Sequence, residues 1–392
     1  MISKAELALR RERVLAYLAD NGQSGYVIFD QSYVRYLTNW GFLATERPVA
    51  LASDAAGELM AFVPEFEVER VRAETDFPRV ESYPEYPGLV HPMRLLAPVL
   101  ADMGLTGKIA ADQDGYPGIL GYEGPSLSEV TGATVSPLAP LLESMLVLKS
   151  PAEVELIRES ARWCEYAHRL LQEYSVPGAT EGTAGLRAGY EATLAMLEAL
   201  GPEYGQLSST DGVTAGYRGQ IGKRSSWAHA IGHNIEFKAG DVLVSETSAP
   251  IWGYNAELER AMIIGDPTDE MRRLFDGMVG ARDAAYAAFR PGATCADIDQ
   301  AVFDYLAAHD LMPYWRQHTG HAIGLRNHEP PFLDIGDFTP IEPGMVFTIE
   351  PGVYDSSLGG FRHSDTVLVT DDGGVEILTA YPTEIGQLTI PA

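Results

Sequence analysis

Residues Gly240–Glu246 read GDVLVSE, and 104 residues later Gly344–Glu350 read GMVFTIE. Each stretch is a glycine, a mostly apolar run suited to a strand buried on both faces, and a glutamate at its end. The likeness continues outward. Upstream of the first copy, an amphipathic helical pattern over 151–174 leads through Val176–Thr180 (VPGAT) to a second helix ending near Leu200. Upstream of the second copy, a helical pattern over 268–289 leads through Arg290–Thr294 (RPGAT) to a helix ending near His309, with Pro291 standing 114 residues after Pro177. Downstream come the glycine–aromatic pairs Gly253–Tyr254 and Gly360–Phe361, each expected to open a further strand. The chain therefore carries a duplicated αα–β unit whose halves are related by a pseudo-two-fold axis. Two copies are too few for a solenoid and predict one closed domain. Matching strand ends bring Glu246 and Glu350 toward a shared centre.

Ahead of this repeat, strand patterns at Tyr26–Asp30, Pro48–Ser53, Leu59–Val63 and Lys108–Asp112 alternate with helical patterns over 3–20, 66–74 and 93–103. They predict a smaller α/β domain. Ser150 followed by Pro151 is a helix start, with a side-chain cap and a proline at the first helical position. The domains are accordingly 1–148 and 149–392, in an α/β (α+β) chain of 392 residues.

Composition narrows the partners. No apolar run is long enough to span a bilayer, and no signal-peptide pattern is present, so cytoplasm is the expected compartment and no membrane partner is expected. Cys164 and Cys295 fall inside helical stretches and read as two buried thiols rather than a disulfide framework. The formal charge is −27, from 55 acidic against 28 basic residues. Such a surface repels phosphate backbones and argues against nucleic acid, which leaves a small-molecule substrate as the expected partner.

The chemistry-bearing residues lie in the second domain. His318–Pro331 (HTGHAIGLRNHEPP) interleaves His318, His321 and His328 with glycines that let the backbone approach closely. Glu246 interrupts an apolar strand. Glu257 and Glu259 share one face of a strand by the period-two rule, although an exposed edge strand would look the same. Glu350 follows mostly apolar residues and precedes Pro351–Gly352, so a buried partner is expected for it. Several carboxylates in one pocket need a cation: a divalent metal, a protonated histidine or a positively charged substrate.

At these residues the chain resembles the creatinase, aminopeptidase P and prolidase superfamily, with its pita-bread fold. The resemblance covers nearly the whole length, through MLVLKSP with AEVELIRES, PGAT, GHAIGLRNHEPP, MVFTIEPGVY and GFRHSDTVLVT. It implies a creatinase-like N-terminal α/β domain followed by a pita-bread domain. The superfamily's metallopeptidases hold two ions with two Asp, one His and two Glu. Carried over by motif, those positions are Glu246, Glu257, His321, Glu350 and Ser364, so both aspartates are glutamates and the last glutamate is a serine. The expectation is therefore a pocket without metal or other cofactor. The alternative is one divalent ion (Mn, Zn, Co or Fe) on Glu246, Glu257, His321 and Glu350.

The chain is also similar to creatinase and to ectoine hydrolases, members that lost the metal set. That similarity implies His229 as the catalytic acid–base and Glu259 and Glu350 as a grip on a substrate's guanidinium or ammonium group. His321 and His328 would donate to the developing tetrahedral centre. Arg47 and Arg362 would pair a substrate carboxylate, Arg47 across the interface of a homodimer, and Glu246 or Glu257 would orient water or the histidine. Arg362 could instead serve a structural ion pair with Asp365 or a strand carboxylate. The expected activity is a creatinase-like, metal-independent hydrolysis of a C–N bond (amide, amidine or guanidine type) in a small cationic substrate. A metal-dependent Xaa-Pro dipeptidase or aminopeptidase is the alternative, in which His229 and His328 bind the peptide carbonyl. A lyase and a catalytically inactive pita-bread binding protein stand behind it.

Overall fold

The computed structural model describes residues 1–202, 204 and 212–392. The chain divides into two compact units, Met1–Met145 and Leu146–Ala392. The first is built on a six-stranded mixed sheet in the spatial order Arg79–Tyr83, Leu59–Pro64, Ala50–Asp54, Gly25–Ile28, Lys108–Ala111, Thr134–Pro137. Val27, Phe29, Phe62, Tyr83, Leu96, Leu100 and Ile109 fill its core. Helix Lys4–Asp20 starts where the Ser3 side chain accepts the Glu6 N–H. Buried Asp112 accepts the N–H groups of Phe29, Asp30 and Gln113, tying the ends of two parallel neighbours together.

In the second unit the repeated PGAT motif is a helix start. Thr180 and Thr294, its last residues, form capping boxes on helices Glu181–Leu200 and Cys295–Ala308. Gly178 and Gly292 supply the positive φ of 86° and 83° that the preceding turn requires. The partner helices are Pro151–Tyr174, opened by the Ser150 capping box, and Asp269–Ala288, opened by Thr268. Each pair packs as an antiparallel couple, so the αα half of the duplication is present as expected.

The strands keep the symmetry less faithfully. The larger sheet runs Glu329–Leu333, Gly320–Ala322, Val346–Ile349, Ser364–Val369, Glu257–Glu259, Glu246–Ser248, Thr214–Gly216, with Val375–Ile377 paired to Ser364–Val369. GMVFTIE forms one strand, with Glu350 just beyond its end. GDVLVSE instead breaks at Ser245. Val242–Val244 pairs with Ala261–Ile264 in a three-stranded sheet, while Glu246 begins a strand of the larger sheet. The cause is a local exchange of bonds. Ser245 Oγ accepts the Arg260 N–H and donates to the Arg260 carbonyl, so both chains change sheet at one step. Gly253–Tyr254 lies in a tight turn closed by the Ile251–Tyr254 bridge, whereas Gly360–Phe361 lies within strand Gly359–Arg362. Both cysteines are buried free thiols. Among the described residues no helix is long and apolar enough to cross a membrane.

Candidate active site

Strand Glu257–Glu259 is flanked on both sides, by Glu246–Ser248 and by Ser364–Val369, so it is not the exposed edge its alternation also allowed. All three of its residues are buried. Its backbone is fixed by a reciprocal pair in which Thr366 Oγ1 accepts the Glu257 N–H and donates to the Glu257 carbonyl. Ser364 stands opposite Glu259 in register and donates its hydroxyl to Glu257 Oε1 at 2.9 Å.

His321 lies in strand Gly320–Ala322, between Glu329–Leu333 and Val346–Ile349. The strands approach so closely that a Cβ on Gly320 would fall 2.0 Å from the Thr348 carbonyl oxygen, which is why glycine precedes the histidine. The His321 side chain lies 3.1 Å through Nδ1 from its neighbour's carbonyl, Ala322 O. A carbonyl only accepts, so Nδ1 carries the proton, and the opposite nitrogen, Nε2, faces Glu350 Oε1 at 3.3 Å. Glu350 is held in turn by its N–H on Thr319 O. Ligand atoms of Glu257, His321 and Glu350 all lie within 4.8 Å of one another, the one such group among the described residues. His328 stacks on the His321 ring, with centroids 3.8 Å apart and 18° between planes, and its own ring is exposed at one side.

Arg362 is buried and pairs with Glu259 at two points, Nε with Oε2 and Nη2 with Oε1 at 2.5 Å. Its Nη1 donates to the Tyr354 hydroxyl, which donates to Gln317 Oε1. The structural reading of Arg362 as a partner for a strand carboxylate is thus realised on Glu259, while Asp365 is served by Arg260. Arg218, which sequence reasoning missed, enters from the other side. Its Nη2 stands 2.6 Å from Glu246 Oε2, without the alignment of a hydrogen bond, and 3.5 Å from Glu259 Oε1. One signal was available: several buried carboxylates require cations, and Arg218 sits between Gly216 and Gly219 just ahead of the site strands.

Electrostatics show that these groups sense one another. Burial, then Glu350 and Glu259, push the Glu257 pKa up to about 8. Burial alone would strip the proton from His321, but Glu350 and Glu257 outweigh it and raise its pKa to about 9. Burial also works upward on Glu350, yet His321 and Arg362 prevail and hold it below the usual carboxylate value. A set of carboxylates that raises the proton affinity of its neighbours is short of positive charge.

The fold thus brings together Glu246, Glu257, Glu259, His321, Glu350 and Arg362, with His328 against His321. His229 is exposed in the turn Trp227–Ala230 and reaches His328 only through space. Arg47 belongs to the first unit, where Glu46 and Glu85 engage it.

Residues 155–371 match the family described as metallopeptidase family M24, and residues 10–145 match the creatinase/prolidase N-terminal domain. The chain is 29% identical over 377 residues to a probable dipeptidase, PepE, of Mycobacterium tuberculosis, covering 95% of each. It is 28% identical over 235 residues to an Xaa-Pro dipeptidase of Pyrococcus furiosus, covering 59% of this chain and 63% of that protein. Among solved structures, dipeptidase PepE from Mycobacterium ulcerans superposes with a TM-score of 0.81 at 25% identity over all of both chains. An Xaa-Pro dipeptidase from Bacillus anthracis gives 0.80 at 22% identity, covering 98% of this chain and 100% of that one, a likeness of fold. The expectation of a pocket with no metal is overturned by the match to a metallopeptidase family together with the Glu257, His321 and Glu350 group. Two carboxylates and an imidazole that presents Nε2 once an ion displaces its proton form a donor set suited to a divalent transition metal.

Proposed function

The chain belongs to metallopeptidase family M24 and is a hydrolase of C–N bonds, and on that footing we propose that it is a metal-dependent dipeptidase, with Xaa-Pro dipeptides the first substrates to try. The observation that carries this reading is the convergence of Glu257, His321 and Glu350, with the His321 tautomer set by Ala322 O. The relatives named dipeptidase and Xaa-Pro dipeptidase support a peptide substrate. A creatinase-like cationic substrate has less support, because Glu259, the residue meant to grip its guanidinium, already holds the guanidinium of Arg362.

In this reading Glu257, His321 and Glu350 hold the ion. When bound, a divalent ion supplies Lewis acidity, polarising a carbonyl and lowering the pKa of water. Glu350, kept ionised by His321 and Arg362, takes the proton of the attacking water and returns it to the leaving nitrogen as the C–N bond breaks. His328, braced on the His321 ring, donates to the carbonyl oxygen as negative charge grows there. Arg362, anchored by Glu259 and Tyr354, keeps the Glu350 carboxylate in place. His229, exposed in its turn and within electrostatic reach of His328, serves as a further donor.

The test is hydrolysis of a panel of Xaa-Pro and non-prolyl dipeptides, followed by amine release, before and after chelation and after return of Mn, Zn, Co or Fe. Loss on chelation and recovery with metal is expected. Undiminished turnover by protein shown to contain no metal would overturn the reading, as would release of urea from creatine with no peptide cleaved.

A further inference from the structure

Four carboxylates, Glu246, Glu257, Glu259 and Glu350, are joined in this pocket through Arg218, Arg362 and His321. Two fixed cations already stand among them. Arg362 spends two of its nitrogens on Glu259 and keeps Nε 3.8 Å from Glu350 Oε2. It is 2% exposed, and Tyr354 and Gln317 brace it, so it has no route out of the site. Arg218 covers Glu246 and approaches Glu259. Its backbone is equally constrained. Arg218 adopts a φ of 48°, and the next residue, Gly219, has a φ of 75° and gives its N–H to buried Glu181 Oε2. A Cβ on Gly219 would fall 2.2 Å from Ile231 O, so the turn is pinned against the neighbouring loop. A non-glycine residue in the left-handed region is uncommon and costs energy, and here it aims a guanidinium at the carboxylates.

We propose that this centre takes one divalent ion per chain, and that Arg218 and Arg362 stand as permanent cations where a second ion would otherwise be needed. The inference rests on the metal-dependent reading and goes beyond it. Binding an ion requires ionised carboxylates and a neutral His321, and in that state four carboxylates against two guanidinium groups leave two negative charges, which one divalent ion cancels. The ligands left over agree with that count. Glu246 is paired with Arg218 and Glu259 with Arg362, Ser364 is neutral, and only Glu257, His321 and Glu350 retain ligand atoms near one another among the described residues. A second ion would stand beside a buried guanidinium, a like-charge contact that nothing in the pocket offsets.

The experiment uses full-length, chelator-stripped protein titrated with Mn²⁺, with stoichiometry read by calorimetry and elemental analysis and with EPR on the loaded protein. One ion per chain, with the spectrum of an isolated Mn²⁺ free of spin coupling, is expected. Arg218→Gln, a change at a side chain 43% exposed, removes one positive charge and should tighten Mn²⁺ binding about tenfold with the stoichiometry still one. Arg218→Lys keeps the charge and should bind as the parent does. Two spin-coupled ions per chain in the parent protein would overturn the inference while leaving the metallopeptidase reading intact. Unchanged affinity in Arg218→Gln would also overturn it. No ion bound at saturating Mn²⁺ would defeat both.

Discussion

The carboxylate of Glu259 and the guanidinium of Arg362 face each other edge to edge, and both side chains are almost wholly removed from solvent. A buried pair of this kind is stable only while both members are present, because either one alone is an uncompensated buried charge.

Arg362→Met should therefore destabilise the second unit by about 3–5 kcal/mol, and Glu259→Gln by a comparable amount. The double variant Glu259→Met with Arg362→Met should be more stable than either single one. Urea unfolding followed by circular dichroism reads all three. Strictly additive losses in the double variant would mean that the two residues do not depend on each other.

Replacing a ligand while keeping its shape should separate ion binding from folding. Glu257→Gln still accepts the Ser364 hydroxyl through its amide oxygen and adds no bulk. It should weaken Mn²⁺ binding at least ~100-fold and lower kcat with it, leaving the melting temperature of the metal-free protein unchanged or raised, since a buried carboxylate has gone. Unaltered metal affinity would remove Glu257 from the ligand set.

Gly320→Ala tests the close approach that places His321. The new methyl would sit 2.0 Å from the Thr348 carbonyl oxygen, backbone that cannot swing aside as a side chain could. A loss of about 2 kcal/mol or more is expected, together with weakened metal binding as His321 is displaced. A variant with parental stability and metal affinity would show that the two strands separate easily.

Stability should fall in mild acid through His168. This ring is buried, 2.6 Å through Nε2 from Ser245 Oγ, and packed on Tyr381, and burial with Arg260 nearby pushes its pKa down to about 3. The folded pKa is depressed, so the native state refuses a proton that the unfolded chain accepts below about pH 6.5. The contribution is complete above that pH and is lost as pH falls toward 3, at about 1.4 kcal/mol per pH unit for this one group. Buried His363, also held well below its ordinary value, adds to the same slope. His168→Gln should flatten the dependence between pH 6 and 4 by one proton. Identical slopes in parent and variant would rule out His168 as a source.

Much of the scaffold was legible in the chain because helix starts are local. Ser150 with Pro151, and the threonines that close VPGAT and RPGAT, announce helices whose caps need only the next three residues. Glu246 and Glu350 were legible as candidates because a charged residue inside an apolar strand has no cheap structural excuse, and His321 because it lies among glycines and two further histidines. What they pair with was not legible. Glu259 was expected to grip a substrate cation, and it holds Arg362, 103 positions away. Arg218 drew no attention, since its role depends on a turn pinned by Glu181 and Ile231. The break at Ser245 escaped for the same reason, being set by bonds to Arg260 on the neighbouring strand.

The sequence by itself determined the duplicated αα–β plan and the order of the helices, because periodicity and capping act over a few residues, while the five positions Glu246, Glu257, His321, Glu350 and Ser364 followed from the resemblance of its motifs to a known family. Only the tertiary structure decided how those positions divide. It gave Glu246 and Glu259 to arginines and left Glu257, His321 and Glu350 to converge. Charge pairing acts over a few ångströms of space and takes no account of separation along the chain, so which cation meets which carboxylate is fixed only when the strands have closed on one another.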